Sequence, residues 1–310
     1  MAAELKVGAR FAGYRIEGLL AHGGMGVVYR ARSERNRVAA LKVIAAEMAD
    51  DLLFRRRFER ETRLAAALHH PNVVPLLDSG ESEGMLFIAT ELIEGLNLHE
   101  VVAAQGSLAV SAATRVIEQI ASALDAAHAE GLLHRDVKPA NILLDGPPGE
   151  GTAFLTDFGL AKHVLSKSGL TRAGQWVGTI DYAAPEQLQA GDVDHRVDVY
   201  ALGCILYETL TGKVPFPRAR DVQKMIAHIG EPPPLVSKLR PQASAFDNVV
   251  CRALAKSPDD RYSSAGELAR DATTAAAKTR DADEPLSPAS DAQPGMPPTP
   301  AAAGDAPTAA

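Results

Sequence analysis

Cysteine is almost missing from this chain of 310 residues: only Cys204 and Cys251 occur, and neither has a Cys or His neighbour at metal-ligand spacing. Both read as small core residues in a reducing compartment. Long apolar runs are missing as well. With no stretch of about 18 apolar residues and no apolar signal-peptide core near Met1, the sequence predicts neither a membrane span nor secretion, and places the chain in the cytoplasm. An excess of positive charge is the third absence. Thirty-two Lys and Arg face 39 Asp and Glu, a formal net charge of -7, which speaks against a nucleic-acid footprint.

What is present is ordinary for a soluble protein: 46% of residues are hydrophobic. The length accommodates two lobes or domains of about 100 to 200 residues each. From about Ala275 the composition turns to Ala, Pro, Asp and Thr, with no Lys or Arg after Arg280. Such a segment cannot bury a core, so residues 275–310 are predicted to be a disordered tail.

The most informative stretch is His134-Arg135-Asp136-Val137-Lys138-Pro139-Ala140-Asn141, which gathers a base, two cations and an amide within a span too short for a regular element. Asp136 can accept a hydroxyl proton, Lys138 can neutralise charge on a transferred phosphoryl group, and the Asn141 carbonyl can ligand a divalent metal.

Other stretches are more open when read alone. The run Leu20-Ala21-His22-Gly23-Gly24-Met25-Gly26-Val27-Val28 lets a hairpin backbone approach phosphates, although glycines serve a simple hairpin equally well. A second β-rich run follows, which disfavours a dinucleotide-binding strand-turn-helix. That second hairpin places Lys42 near the end of an apolar strand, Val38 to Ile44, where it either reaches solvent or meets a phosphate. The spacing of Phe54, Phe58, Ala65 and Leu68 predicts a helix from about Asp51 to Leu68 carrying Glu61 and the exposed Arg55-Arg56-Arg57. Further strands are predicted at about Val73 to Asp78, Met85 to Leu92 and Ala153 to Thr156. An amphipathic helix is predicted from Ser111, as N-cap, to His128, and a buried one from Asp194 to Thr211.

Taken in order, the glycine loop, Ala40-Leu41-Lys42, the H-R-D-x-x-x-x-N loop, Asp157-Phe158-Gly159 and Ala184-Pro185-Glu186 resemble the bacterial branch of the eukaryotic-type (Hanks-type) Ser/Thr protein kinases. Composition and the Gly-Gly-Met-Gly loop make the sequence most similar to actinobacterial Pkn-type kinases. The resemblance covers about residues 12 to 272 and departs from the pattern at Ala21, where the family has its first loop glycine.

The resemblance implies an α+β bilobal kinase fold, with a β-rich N-lobe over about 12–92 that contains one long helix, and a mainly helical C-lobe over about 94–272. It implies transfer of the γ-phosphoryl group of ATP, with Mg2+ or Mn2+, to Ser/Thr hydroxyls of proteins in bacterial signalling, including the chain's own activation loop. Asp136 is then the catalytic base, Lys138 the phosphate contact, and Asn141 and Asp157 the metal ligands. Leu20, Ala21, Gly23, Gly26, Val28, Ala40, Lys42, Glu91, Ile93 and Leu143 hold the nucleotide, with Thr90 as gatekeeper and Glu61 pairing with Lys42 in the active state. Phosphorylated Thr171, with Ser166 or Ser168 as second choices, docks on Arg57, Arg135 and Lys162. Arg261 pairs with Glu186, and Asp198 props the catalytic loop. A homodimer through the N-lobe is a further implication. The alternative is a pseudokinase scaffold that binds nucleotide without efficient transfer, for which loss of Lys42, Asp136 or Asp157 is expected; all three are present.

Overall fold

The computed structural model describes residues 5–23, 26–45, 49, 51–158, 180–189 and 191–279. Along residues 10–44 buried and more exposed side chains alternate. Phe11, Tyr14, Ile16, Tyr29, Ala31, Ala39, Leu41 and Val43 are buried, while Arg15, Val28, Arg30, Ala40 and Lys42 stand on the other face. A two-residue period of this kind specifies strands with one face on a core. Strands β1 (Arg10–Phe11), β2 (Tyr14–Gly23), β3 (Gly26–Ser33), β4 (Val38–Ile44), β5 (Leu76–Ser82) and β6 (Met85–Glu91) form an antiparallel sheet in the order β1-β2-β3-β4-β6-β5.

Helix α1 (Leu52–Ala67) packs on this sheet. The carboxylate of Asp51 caps it by accepting the Leu53 amide at 2.7 Å and the Phe54 amide at 3.4 Å. Phe54 and Phe58, one turn apart, then enter a small core with Ile44, Leu86 and Ile88. This fixes which face of α1, and therefore which side of Glu61, is turned toward the cleft.

The second lobe is helical: α2 (Leu98–Gln105), α3 (Val110–Ala129), α4 (Pro185–Leu188), α5 (Arg196–Thr211), α6 (Asp221–Gly230), α7 (Asp247–Ala253) and α8 (Ala265–Ala277). Helix α5 is buried from Val197 to Thr211, as its apolar residues on every side require. A small antiparallel sheet, β7 (Leu96–Asn97), β8 (Ile142–Asp145) and β9 (Thr152–Leu155), covers the face toward the first lobe. Its two hairpin strands deliver the chain from the 134–141 loop to Asp157.

Three of the boundaries that differ from the sequence expectation bear on the fold. The strand expected from Val73 begins at Leu76, because Val73 instead bridges Leu155 and the amide of Val74 donates to the Leu155 carbonyl at 3.0 Å, which ties 73–74 to β9. Helix α3 begins at Val110, with Ala109 in the cap position and Ser111 inside the helix. Helix α8 runs to Ala277, and Ala275 is buried against the helical core, so folded structure extends past the expected start of the tail. Residues 280–310 lie outside the described residues.

Candidate active site

The 134–141 loop is held by one buried carboxylate. Asp198, fully buried on α5, accepts the amide of His134 at 2.9 Å, the amide of Arg135 at 2.7 Å and Nε2 of His128 at 2.8 Å. Burial alone would raise the Asp198 pKa. The hydrogen bond and charge of His128, together with His134, outweigh it and hold the carboxyl below its ordinary value. Arg135 can therefore sit at φ +62°, in the left-handed region that a non-glycine residue avoids without external support. Buried His134 bonds the Thr156 carbonyl through Nε2 at 2.9 Å and receives the Asp136 amide on Nδ1 at 3.2 Å. Burial pulls its pKa down, so it works as a neutral spacer.

On this frame the chemical groups converge. Lys138 Nζ donates to Asp136 Oδ2 at 2.9 Å, and Asn141 Nδ2 donates to the Asp136 carbonyl at 2.9 Å and to Oδ2 at 3.4 Å. With its nitrogen committed to Asp136, Asn141 offers its carbonyl oxygen to a cation. The amide of Thr156 donates to the Asn141 backbone carbonyl at 3.0 Å, which brings Asp157 beside the loop. Asp157 is itself left-handed, at φ +57°. Asp157 and Asn141 present hard oxygens, a donor set that fits Mg2+ or Mn2+ better than zinc, and a pair of protein ligands suits an ion that keeps waters and binds phosphate. Among the described residues no cluster of three His, Cys, Asp or Glu offers an alternative metal site.

The residues expected to hold the nucleotide gather around β3 and β4. In register Val28 stands opposite Lys42, and Ala40 opposite Thr90. Val28, Ala40, Thr90, Glu91, Ile93 and Leu143 are all half-buried, as side chains lining a cleft should be. The Glu91 amide donates to the Pro75 carbonyl at 2.9 Å, so contact with a base from Glu91 falls to its carbonyl. At the tip of the β2-β3 hairpin Ala21 pairs with Val28 and Gly23 with Gly26, and Leu20 and Ala21 are exposed. Gly26, at φ +148°, is required by packing, because a Cβ there would lie 2.0 Å from the Val43 carbonyl oxygen.

Lys42 and Glu61, expected to pair in the active state, each meet another partner here. Lys42 Nζ bonds Asp157 Oδ2 at 2.8 Å, and Glu61 faces Arg135 Nη1 at 4.0 Å. Arg135, Arg57 and Arg60 all act on Glu61, and burial still pushes its carboxyl above the ordinary value. Burial in turn lowers the Arg135 pKa against the pull of Glu61. The structure thus brings Arg57, Arg60 and Arg135 together, and Arg60 is a member the sequence did not reveal. Lys162, Ser166, Ser168 and Thr171 lie outside the described residues.

Below the cleft, Glu186 of α4 takes Arg261 in a two-pronged pair at 2.7 and 2.8 Å. Gln187, beside it, accepts the Ala184 amide on Oε1 at 3.0 Å and donates from Nε2 to the Arg135 carbonyl at 3.1 Å. Neither Gln187 nor His128 stands out in the sequence, since each acts through a partner more than 50 residues away.

The loop carrying Asp136, Lys138 and Asn141 thus lies beside Asp157, between a six-stranded antiparallel sheet lobe and a helical lobe. The protein kinase domain model matches residues 14–273, and the chain belongs to the protein kinase family. Among proteins it is similar to the serine/threonine-protein kinase PknJ of Mycobacterium tuberculosis, at 45% identity over 280 residues, 89% of this chain and 47% of that protein. It is 44% identical over 271 residues to PknH of the same organism, covering 86% of this chain and 42% of that protein. The chain therefore spans about half the length of the curated relatives it matches. Among solved structures, the M. tuberculosis PknI kinase domain is similar at a TM-score of 0.73 and 35% identity, covering 88% of this chain and all of that one.

Proposed function

We propose that this chain transfers the γ-phosphoryl group of ATP to Ser or Thr hydroxyls of proteins in a bacterial signalling pathway. The observation that carries the reading is the Asp136 carboxylate, positioned by Lys138 and Asn141 in a loop anchored to buried Asp198. Asp136 orients the incoming hydroxyl and takes its proton as the oxygen attacks, while Lys138, at hydrogen-bond reach of the same carboxylate, offsets charge on the phosphoryl group. Lys42 and the Leu20-to-Gly26 hairpin hold the phosphates, and Val28, Ala40, Leu143 and the Glu91-to-Ile93 backbone take the adenine. Asp157 and Asn141 would hold Mg2+ or Mn2+, which would supply charge neutralisation for the triphosphate. A lysine two residues after the base accords with Ser/Thr rather than Tyr acceptors, and the similar PknJ and PknH are serine/threonine-protein kinases.

Lys42 bonded to Asp157 and Glu61 facing Arg135 support a resting arrangement. Phosphate on Thr171, or on Ser166 or Ser168, would recruit Arg135 with Arg57 and Lys162, and release Glu61 to pair with Lys42. Cytoplasmic location and pairing of two copies through the N-lobe belong to the same reading. No helix among the described residues is long and apolar enough to cross a membrane. The test is phosphoamino-acid analysis of a generic basic protein after incubation with the chain, labelled ATP and Mg2+. Phosphoserine and phosphothreonine are expected, and label found only on tyrosine would overturn the Ser/Thr assignment.

A further inference from the structure

The peptide joining Arg135 to Asp136 is held at both ends. Its N–H, from Asp136, donates to His134 Nδ1 at 3.2 Å, and its carbonyl, from Arg135, accepts Gln187 Nε2 at 3.1 Å. The first tie is internal to the loop. The second comes from α4, at the end of the segment that follows Asp157, and the same Gln187 amide binds the Ala184 backbone through Oε1. Arg135 is left-handed, so the orientation of this peptide is not one the backbone would keep unaided. Gln187, Arg135, Asp136 and Tyr182 meet around one small cavity, and the neighbouring Glu186 clamps α4 onto the helical core through Arg261. Glu186 therefore anchors α4, and Gln187 passes that anchorage to the peptide carrying the base.

We propose that Gln187 is a positioning residue for phosphoryl transfer: it fixes the Arg135–Asp136 peptide, and so the aim of the Asp136 carboxylate, to the seating of α4. The inference rests on the kinase reading and adds a residue to it. A displacement of a reacting group by a fraction of an ångström is expensive in rate, so loss of this tie is expected to lower kcat about tenfold while KM for ATP stays unchanged.

A cap role and a positioning role separate by substitution. Gln187→Glu keeps an oxygen for the Ala184 amide, as a third-position Glu does in helix caps, but turns an acceptor toward the Arg135 carbonyl. Gln187→Met removes both contacts at similar volume. Both variants are expected to lose kcat. The Gln187→Glu deficit should shrink as pH falls from about 8 to about 6, because burial against a carbonyl raises that carboxyl pKa and its protonated form can donate again. The Gln187→Met deficit should not depend on pH. Thermal melting and nucleotide affinity, measured alongside, show that each variant is folded. Gln187→Glu with wild-type kcat at every pH would overturn the inference and leave Gln187 as a helix cap. A wild-type chain that transfers no phosphate would overturn the kinase reading, and this inference with it.

Discussion

Replacing Arg261 by Ala should be among the most damaging single changes outside the cleft. The guanidinium has five N–H groups, and each has an acceptor: the Ala255 carbonyl at 2.8 Å, Glu186 Oε1 at 2.7 Å, the Arg196 carbonyl at 3.1 Å, Glu186 Oε2 at 2.8 Å and the Lys256 carbonyl at 3.1 Å. Its carbon lies 4.8 Å from the Tyr200 ring centroid, and its side chain is 0% exposed. Truncation leaves the Glu186 carboxylate buried without its counter-charge, a situation that costs about 3 to 5 kcal/mol. The three orphaned carbonyls add to that unless water fills the space. Against a total stability of about 5 to 15 kcal/mol, this is at least about a fifth of the margin. For a domain of this size the melting temperature should fall by roughly 6 to 20 °C. The assay is thermal unfolding of wild type, Arg261→Ala, Glu186→Ala and the double variant at one pH. Because the double variant removes the stranded charge, its loss should be smaller than the sum of the two singles. Melting within about 2 °C of wild type for Arg261→Ala, or strictly additive losses, would refute the reasoning.

Three further outcomes follow from other parts of the molecule. Fully buried His228 bonds Tyr200 through Nδ1 at 2.9 Å, and burial, with Lys256 and Lys224, depresses its pKa from 6.5 to about 3. Below pH 6.5 the unfolded chain binds a proton that the folded chain refuses, so stability present above that pH is lost on acidification, by about 2 kcal/mol at pH 5. Denaturant titrations should show a shallower pH dependence for His228→Asn, and equal slopes would contradict this. Gly26→Ala places a Cβ 2.0 Å from the Val43 carbonyl oxygen at φ +148° and should cost roughly 2 to 4 kcal/mol with weakened nucleotide binding, read by melting and by nucleotide titration. Thr171→Ala should lower activity and remove phosphate mapped to its segment, and full activity with no loss of phosphate would remove Thr171 from the account.

The parts of the fold carried by local pattern were legible. The spacing of Phe54, Phe58, Ala65 and Leu68 announced α1, the apolar surround of 197–211 announced a buried helix, and Asp136, Lys138 and Asn141, close in sequence, are also joined by hydrogen bonds in the structure. What was not legible depends on contacts distant in sequence. Val73 reads as the start of a strand until Leu155 is known to lie against it. Ser111 is a better cap than Ala109 in isolation, yet α3 begins earlier, at Val110. The partner of Lys42 was not legible either, because the motif residues are the same whether Lys42 meets Glu61 or Asp157. Ala275 belongs compositionally to the tail, but the last turns of α8 bury it.

The central claim is that Asp136 and Lys42 serve phosphoryl transfer from ATP, and its most direct test is incorporation of labelled γ-phosphate with Mg2+ or Mn2+ into the chain and into a generic basic protein. Wild type should incorporate label, while Lys42→Ala and Asp136→Asn, folded and melting as wild type does, should incorporate almost none. Undiminished incorporation by either variant, or a wild-type chain that binds nucleotide and transfers nothing with either metal, would contradict the account.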